Sequence, residues 1–235
     1  MTDFKIGGPQ KIFDINTDLL VSKSPFFAAM KKPEILTTTN ATSNAQLRGP
    51  FVYEQLDEFA FKLFVGWMYN GKLEGPTDFH ALHHYLGLYI IAMKFQIEAL
   101  KNLVMDLVRH YYRAEEMTAP GFRVEYIYNN TKEPNKMRTF LVSTAAYRAL
   151  CGDENAENTG KGITESMKQV LSKGGDVAPD YAEALVFLTK NGLPDARVGD
   201  DCMWHEHEAT PVCEPAPSPE PYEDNGYVAQ DEAQA

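Results

Sequence analysis

LLVSKSPFFAAM, residues 19–30, is the stretch whose reading decides the fold. The leucine pair Leu19-Leu20 leads into Ser22-Lys23-Ser24-Pro25, and Phe26-Phe27 opens a small apolar run. Ser24 is a good helix N-cap, because its hydroxyl accepts a hydrogen bond from an otherwise unpaired backbone N–H. Pro25 then falls at the first helical position, where a missing N–H costs nothing. The stretch predicts a short helical turn, a break, and a second short helix that drives Phe26 and Phe27 into a core. Such a corner shapes a fold and by itself says nothing about activity.

Upstream, Phe4 and Ile6 alternate with polar residues, as do Phe13 and Ile15, around Gly7-Gly8-Pro9-Gln10. This is a β-hairpin pattern. No phosphate-loop spacing follows the glycines. Downstream, residues 31–49 are polar, with TTTNATSN at 37–44, and predict a solvated loop. Phe51 and Tyr53 then mark a short strand ending near Leu56.

Residues 57–69, DEFAFKLFVGWMY, carry Phe59, Leu63, Phe64 and Trp67 at helical spacing, with Ala60 and Met68 beside them. Phe61 and Val65 make this helix apolar almost all round, which places it in the middle of a domain. Asp57 suits its N-cap, and Asn70-Gly71 its left-handed end. A second helix is predicted over 78–94, buried by composition at 85–93. A third runs over 97–113, where Leu100, Leu103, Val104, Leu107, Val108 and Tyr111 form one face. The opposite face carries Lys101, Asp106, Arg109 and Arg113 and is expected to be solvated.

These elements carry a resemblance. A hairpin, a Leu-Leu-x-x-x-Ser-Pro-Phe-Phe corner, a strand, and an Asp57-started helix ending Trp67-x-Tyr69-x-Gly71-x-Leu73 stand in that order. The Leu88-Tyr89-Ile90-Ile91-Ala92-Met93-Lys94-Phe95 helix follows. The pattern resembles a BTB/POZ domain, in the style of the single-BTB proteins of filamentous fungi, over about residues 3–113. The resemblance implies an α+β fold, a small β-sheet with a cluster of helices. It also implies a non-enzymatic protein–protein interaction module. Its partners would be other proteins: a second copy in a homodimer, or a cullin ubiquitin-ligase scaffold for which the chain is a substrate adaptor. Where many members have a histidine before the leucine pair, this chain has Ile15-Asn16-Thr17-Asp18. It also starts almost on the first strand, so the strand-exchanged dimer of the zinc-finger transcription-factor members is not expected. No Kelch or zinc-finger array is visible downstream.

Beyond residue 113 the chain stays helical. Segments are predicted over 120–130 with Phe122, Tyr126 and Ile127 in the core, and over 136–150 with Phe140, Leu141, Ala145 and Leu150. Shorter helices are predicted over 163–172 and 179–190, and the polar stretch 153–161 reads as a loop. The organisation is thus a BTB/POZ domain over 1–113, a helical extension over 114–194 packed on it, and a tail over 195–235.

The tail holds the acidity. Of the net charge of −11, 11 acidic residues and a single basic one fall after Pro194, leaving 22 acidic and 21 basic residues in the body. A near-neutral body without a basic stripe is a poor nucleic-acid binder, since phosphate neutralisation supplies most non-specific affinity. Pro211, Pro215, Pro217, Pro219 and Pro221 make the end of the tail proline-rich and acidic. Low hydrophobicity with high charge predicts disorder from residue 195 onward. A nuclear or transcriptional regulatory factor recruiting proteins through this acidic tail is the alternative function. No run of 18 apolar residues predicts a membrane span. The N-terminus lacks the basic start and apolar core of a signal peptide, and Cys151, Cys202 and Cys213 are too scattered for a disulfide framework. An intracellular protein, cytoplasmic or nuclear, is expected.

One cluster has metal-ligand chemistry: Cys202, His205, His207 and Cys213, in the spacing C-x2-H-x-H-x5-C. Zinc favours four such ligands in a tetrahedron. Yet His205 and His207 are two apart and cannot both turn inward on a helix, so a tight loop is required. Chance ligands in a disordered tail, with no cofactor and no metal, is the expectation; a zinc-dependent protein is the alternative. His80, His83 and His84 share a helix face, expected to be a solvated helix start. No nucleophile elbow or kinase signature occurs, and no catalytic residue is assigned.

Overall fold

The opening hairpin sets the sheet. Strand β1 (Thr2–Ile6) pairs antiparallel with β2 (Lys11–Ile15), Phe4 opposite Phe13 and Lys5 opposite Ile12. The computed structural model describes residues 1–31, 47, 49–152 and 161–214. Gly7, at φ +73°, makes the turn, and the Gln10 N–H closes it onto the Gly7 carbonyl at 2.9 Å. The short strand β3 (Phe51–Tyr53) runs parallel to β1 on its other side, giving the order β2-β1-β3. Alternation along β1 buries Thr2, Phe4 and Ile6 on one face.

The corner lies over that face. Helix α1 (Thr17–Lys23) is capped by the Asn16 side chain, which accepts from the N–H groups of Asp18 and Leu19. Ser24, with extended backbone, breaks it, and α2 (Pro25–Lys31) begins at Pro25 as expected. Phe27 is fully buried among Phe4, Phe51 and Phe95, with ring centroids 5.7, 5.4 and 4.8 Å away. Phe26 is half-buried against Phe27 and Phe95.

Helix α3 (Glu58–Asn70) starts at the Asp57 cap, whose carboxylate accepts from the Ala60 N–H at 2.6 Å, and ends at Gly71 with φ +71°. Its core face is Ala60, Phe61, Phe64, Trp67 and Met68. The predicted face of Phe59, Leu63, Phe64 and Trp67 is therefore rotated. Phe61 sits 5.2 Å from Phe4 and 5.0 Å from Phe13, and this contact with the sheet turns Phe59 outward, where it is 53% exposed. Helix α4 (Phe79–Lys94) is buried on every side from Tyr85 to Ala92. It approaches α3 so closely that a Cβ on Gly87 would lie 2.9 Å from the Ala60 Cβ.

Helix α5 (Glu98–Ala114) leads into α6 (Gly121–Asn130), α7 (Lys136–Cys151), α8 (Glu165–Ser172) and α9 (Val177–Lys190). These pack on the first module through Tyr112 against Phe140, edge to face at 5.4 Å. The buried residues of the two regions form one continuous cluster. On α6, Phe122 is largely exposed and Arg123 takes the buried place predicted for it. The Arg123 guanidinium lies 3.9 Å over the Phe79 ring and donates to the Phe79 carbonyl at 2.7 Å and the Tyr112 hydroxyl at 3.3 Å.

The architecture is mixed α and β, a three-stranded sheet with nine α-helices among the described residues. None of these helices is long and apolar enough to cross a membrane. Most of the expected loop at 31–49, with its centre 37–44, all but the last residue of the one at 153–161, and the proline-acidic run from Pro215 lie outside the described residues. Disorder starting at residue 195 does not hold. Residues 195–214 run back along α5, with a 3-10 turn at Cys202–Trp204 whose Trp204 is buried against Phe140. The average composition of the tail hides this apolar anchor and the ion pairs around it.

Candidate metal centre

The segment 195–214 is placed by the polar stripe of α5. Glu98, Asn102, Asp106 and Arg109 recur at spacings of four, four and three, so they line one side of the helix. Of the residues predicted on the solvated face, Arg113 is exposed, whereas Lys101 and Asp106 are partly covered and Arg109 completely. The Glu98 carboxylate accepts from three successive N–H groups, Glu208 at 3.1 Å, Ala209 at 3.0 Å and Thr210 at 2.7 Å, and from the Thr210 hydroxyl at 2.7 Å. Burial alone would raise its pKa, but these donors together outweigh it and hold the carboxyl down at about 2. Asn102 exchanges both amide hydrogen bonds with the Glu206 backbone, donating to its carbonyl at 2.8 Å and accepting from its N–H at 3.0 Å. Lys101 pairs with the Glu206 side chain.

Arg109 is only 1% exposed. Its guanidinium donates to the Ala196 and Val198 carbonyls, each at 3.3 Å, pairs with Asp201, and lies 5.4 Å from the centre of the Trp204 ring. The chain thus turns around a buried cation and delivers Cys202 at a fixed place.

At His205 the backbone is extended, with φ −91° and ψ 161°, and the centres of the His205 and His207 rings lie 5.9 Å apart, so the helical objection to the two acting together falls away. The structure brings Cys202, His207 and Cys213 together, with His205 beside Cys213. Cys202 Sγ lies 3.3 Å from His207 Nε2, and Cys213 Sγ lies 3.9 Å from the same nitrogen. His205 Nδ1 is 3.1 Å from Cys213 Sγ. Ligand atoms of Cys202, His207 and Cys213 all fall within 4.8 Å of one another, so this group could hold a metal ion. On the far side of its ring, His205 Nε2 meets the Asp106 carboxylate at 2.6 Å.

Asp106, Asn102 and Glu98 escaped the sequence reading of this site. Their spacing on α5 is visible in the sequence, but a polar stripe reads as a wet helix face. Nothing local indicates a partner about a hundred residues away. The three histidines of α4 remain apart from the cluster. His80 is exposed, as expected. His84 Nδ1 is 3.0 Å from Asp57, and the His83 ring lies 4.2 Å from that of Tyr126, where burial lowers its pKa.

A second surface is apolar. Phe59 and Tyr69 are exposed on the outer side of α3, with Gly66 between them and Leu63 half-buried against the core. A Cβ on Gly66 would meet nothing within 4 Å. On the outer face of the sheet, Lys5 is flanked in register by exposed Ile12 and Val52. No protein-family model matches the chain, and no curated protein matches it either.

Proposed function

We propose that this chain is a non-enzymatic protein–protein interaction module of the BTB/POZ type, acting by self-association or as an adaptor on a cullin ubiquitin-ligase scaffold. The observation that supports this reading is the outer side of α3. A helix that is apolar all round belongs in an interior, yet α3 has core on one side only and leaves Phe59 53% exposed and Tyr69 52% exposed. Apolar side chains gathered on a surface mark interaction sites. Lys62 Nζ lies 4.4 Å over the Phe59 ring and rims this surface with charge.

The test is affinity capture from cell extract with mass spectrometry, beside light scattering of the purified protein. Both are compared with a Phe59→Glu variant. The expected result is a dimer or a captured cullin that the variant loses while keeping its melting temperature. A monomer that captures no cullin, or a partner that ignores Phe59→Glu, overturns the proposal.

A further inference from the structure

We propose that Cys202, His205, His207 and Cys213 bind one zinc ion, and that the ion fastens residues 195–214 to α5. This goes beyond the interaction reading and does not depend on it. The donor set is two thiolates and two imidazoles, a combination that suits zinc over the oxygen-seeking cations. Because all four ligands come from the protein, the centre is of the closed, structural kind.

Geometry supports the assignment. A tetrahedral zinc with ordinary bond lengths separates a sulfur and a nitrogen ligand by about 3.5 Å. Three of the four sulfur–nitrogen separations are 3.1, 3.3 and 3.9 Å. Cys202, His207 and Cys213 already lie within 4.8 Å of one another, and His205, beside Cys213, closes in as the fourth ligand when the ion binds. The environment of His207 Nε2 points the same way, since it faces two sulfurs. Thiols are weak hydrogen-bonding groups, so they are poor reasons to hold an imidazole in place and good ones to hold a metal. His205 shows the outer arrangement that metal-bound histidines adopt, in which the ring nitrogen away from the metal donates to a carboxylate. Asp106 at 2.6 Å from Nε2 fills that role, leaving Nδ1 for the ion.

Within the segment little else closes the 202–213 loop. Its only regular structure among the described residues is the 3-10 turn Cys202–Trp204, and its one large buried apolar side chain is Trp204. A metal bound by residues at both ends of the 202–213 span closes that loop, and its binding energy becomes folding energy for the segment.

The experiment uses the full chain purified without chelator. Metal analysis should find one zinc per chain. Replacement by cobalt should give the absorption of a tetrahedral centre together with a thiolate-to-cobalt charge-transfer band. Cys213→Ser changes an exposed residue at the end of the segment, so the body stays folded; it should roughly halve that band by leaving the Cys202 thiolate alone, and Cys202→Ser, Cys213→Ser together should abolish it. Asp106→Asn should keep the band and weaken zinc affinity roughly 10–100-fold. Chelation should speed amide hydrogen exchange in residues 195–214 and leave β1 and α4 protected. Absence of stoichiometric zinc and of the thiolate band overturns the site. A band unchanged in Cys213→Ser, or one that survives loss of both cysteines, also overturns it. Exchange in 195–214 that ignores chelation overturns the fastening role.

Discussion

The Ser24 hydroxyl donates to the Phe95 carbonyl at 2.7 Å, joining the break between α1 and α2 to the end of α4. The same oxygen accepts from the Phe27 N–H at 3.4 Å, so one fully buried side chain satisfies both a helix start and a helix end.

Removing that oxygen leaves the Phe95 carbonyl without this partner in the interior. Ser24→Ala should cost about 1–3 kcal/mol, the penalty for a buried polar group that loses its hydrogen bond. Phe27→Ala should cost about 3–5 kcal/mol, and Phe26→Ala clearly less, because only Phe27 is fully enclosed. Urea denaturation measures all three. Equal losses at Phe26 and Phe27 would contradict the packing described.

Two helix glycines should respond with opposite signs. Gly87→Ala drives a methyl to 2.9 Å from the Ala60 Cβ between α3 and α4, and overpacking of that kind costs about 1–3 kcal/mol. Gly66→Ala meets nothing within 4 Å and should stabilise α3 by about 0.5–1 kcal/mol through helix propensity. Thermal melts of the two variants decide it; a destabilised Gly66→Ala would show that α3 is already covered on its outer side.

The local chemistry of the first module was readable because its signals are short-range. Ser24-Pro25, Asp57 and Asn70-Gly71 fix helix ends within a few residues, and the helices fall where the periodicity puts them. Rotation was harder to read. Almost every position of α3 is apolar, so only contact with Phe4 and Phe13 determines that Phe61, not Phe59, faces inward. The four candidate metal ligands were legible as residue types, whereas their assembly was not. It depends on Arg109, Asn102 and Glu98, whose partners lie 87 to 112 residues along the chain.

The Glu98 carboxylate makes docking of the segment dependent on pH. Its pKa in the folded chain, about 2, is below its ordinary value of 4.5. The stabilisation it gives is therefore complete above pH 4.5 and is lost as pH falls towards 2. Protection of residues 206–210 against hydrogen exchange in chelator-treated protein, taken relative to the intrinsic rate at each pH, should fall across that window. In Glu98→Gln, protection should be lower than in the parent at pH 6, and the further fall in acid should disappear. An equal loss of protection in both proteins would assign the effect to another group.

Arg109 and Asp201 form an ion pair whose two halves should differ sharply in weight. The arginine side chain is 1% exposed and the aspartate 58% exposed. Asp201→Asn frees an aspartate already in contact with water, and its effect should stay below about 1 kcal/mol. Arg109→Ala removes the donor to the Ala196 and Val198 carbonyls and the cation beside Trp204 at once. Hydrogen bonds from a charged donor contribute about 1.5–3 kcal/mol, so the segment should come off α5 while Phe4, Phe27 and Phe61 keep the first module folded. Limited proteolysis followed by mass spectrometry reads this directly. Arg109→Ala should be trimmed within residues 195–214 much faster than the parent, and Asp201→Asn at nearly the parental rate. Similar trimming of both variants would mean that the exposed ion pair, not the enclosed guanidinium, holds the segment in place.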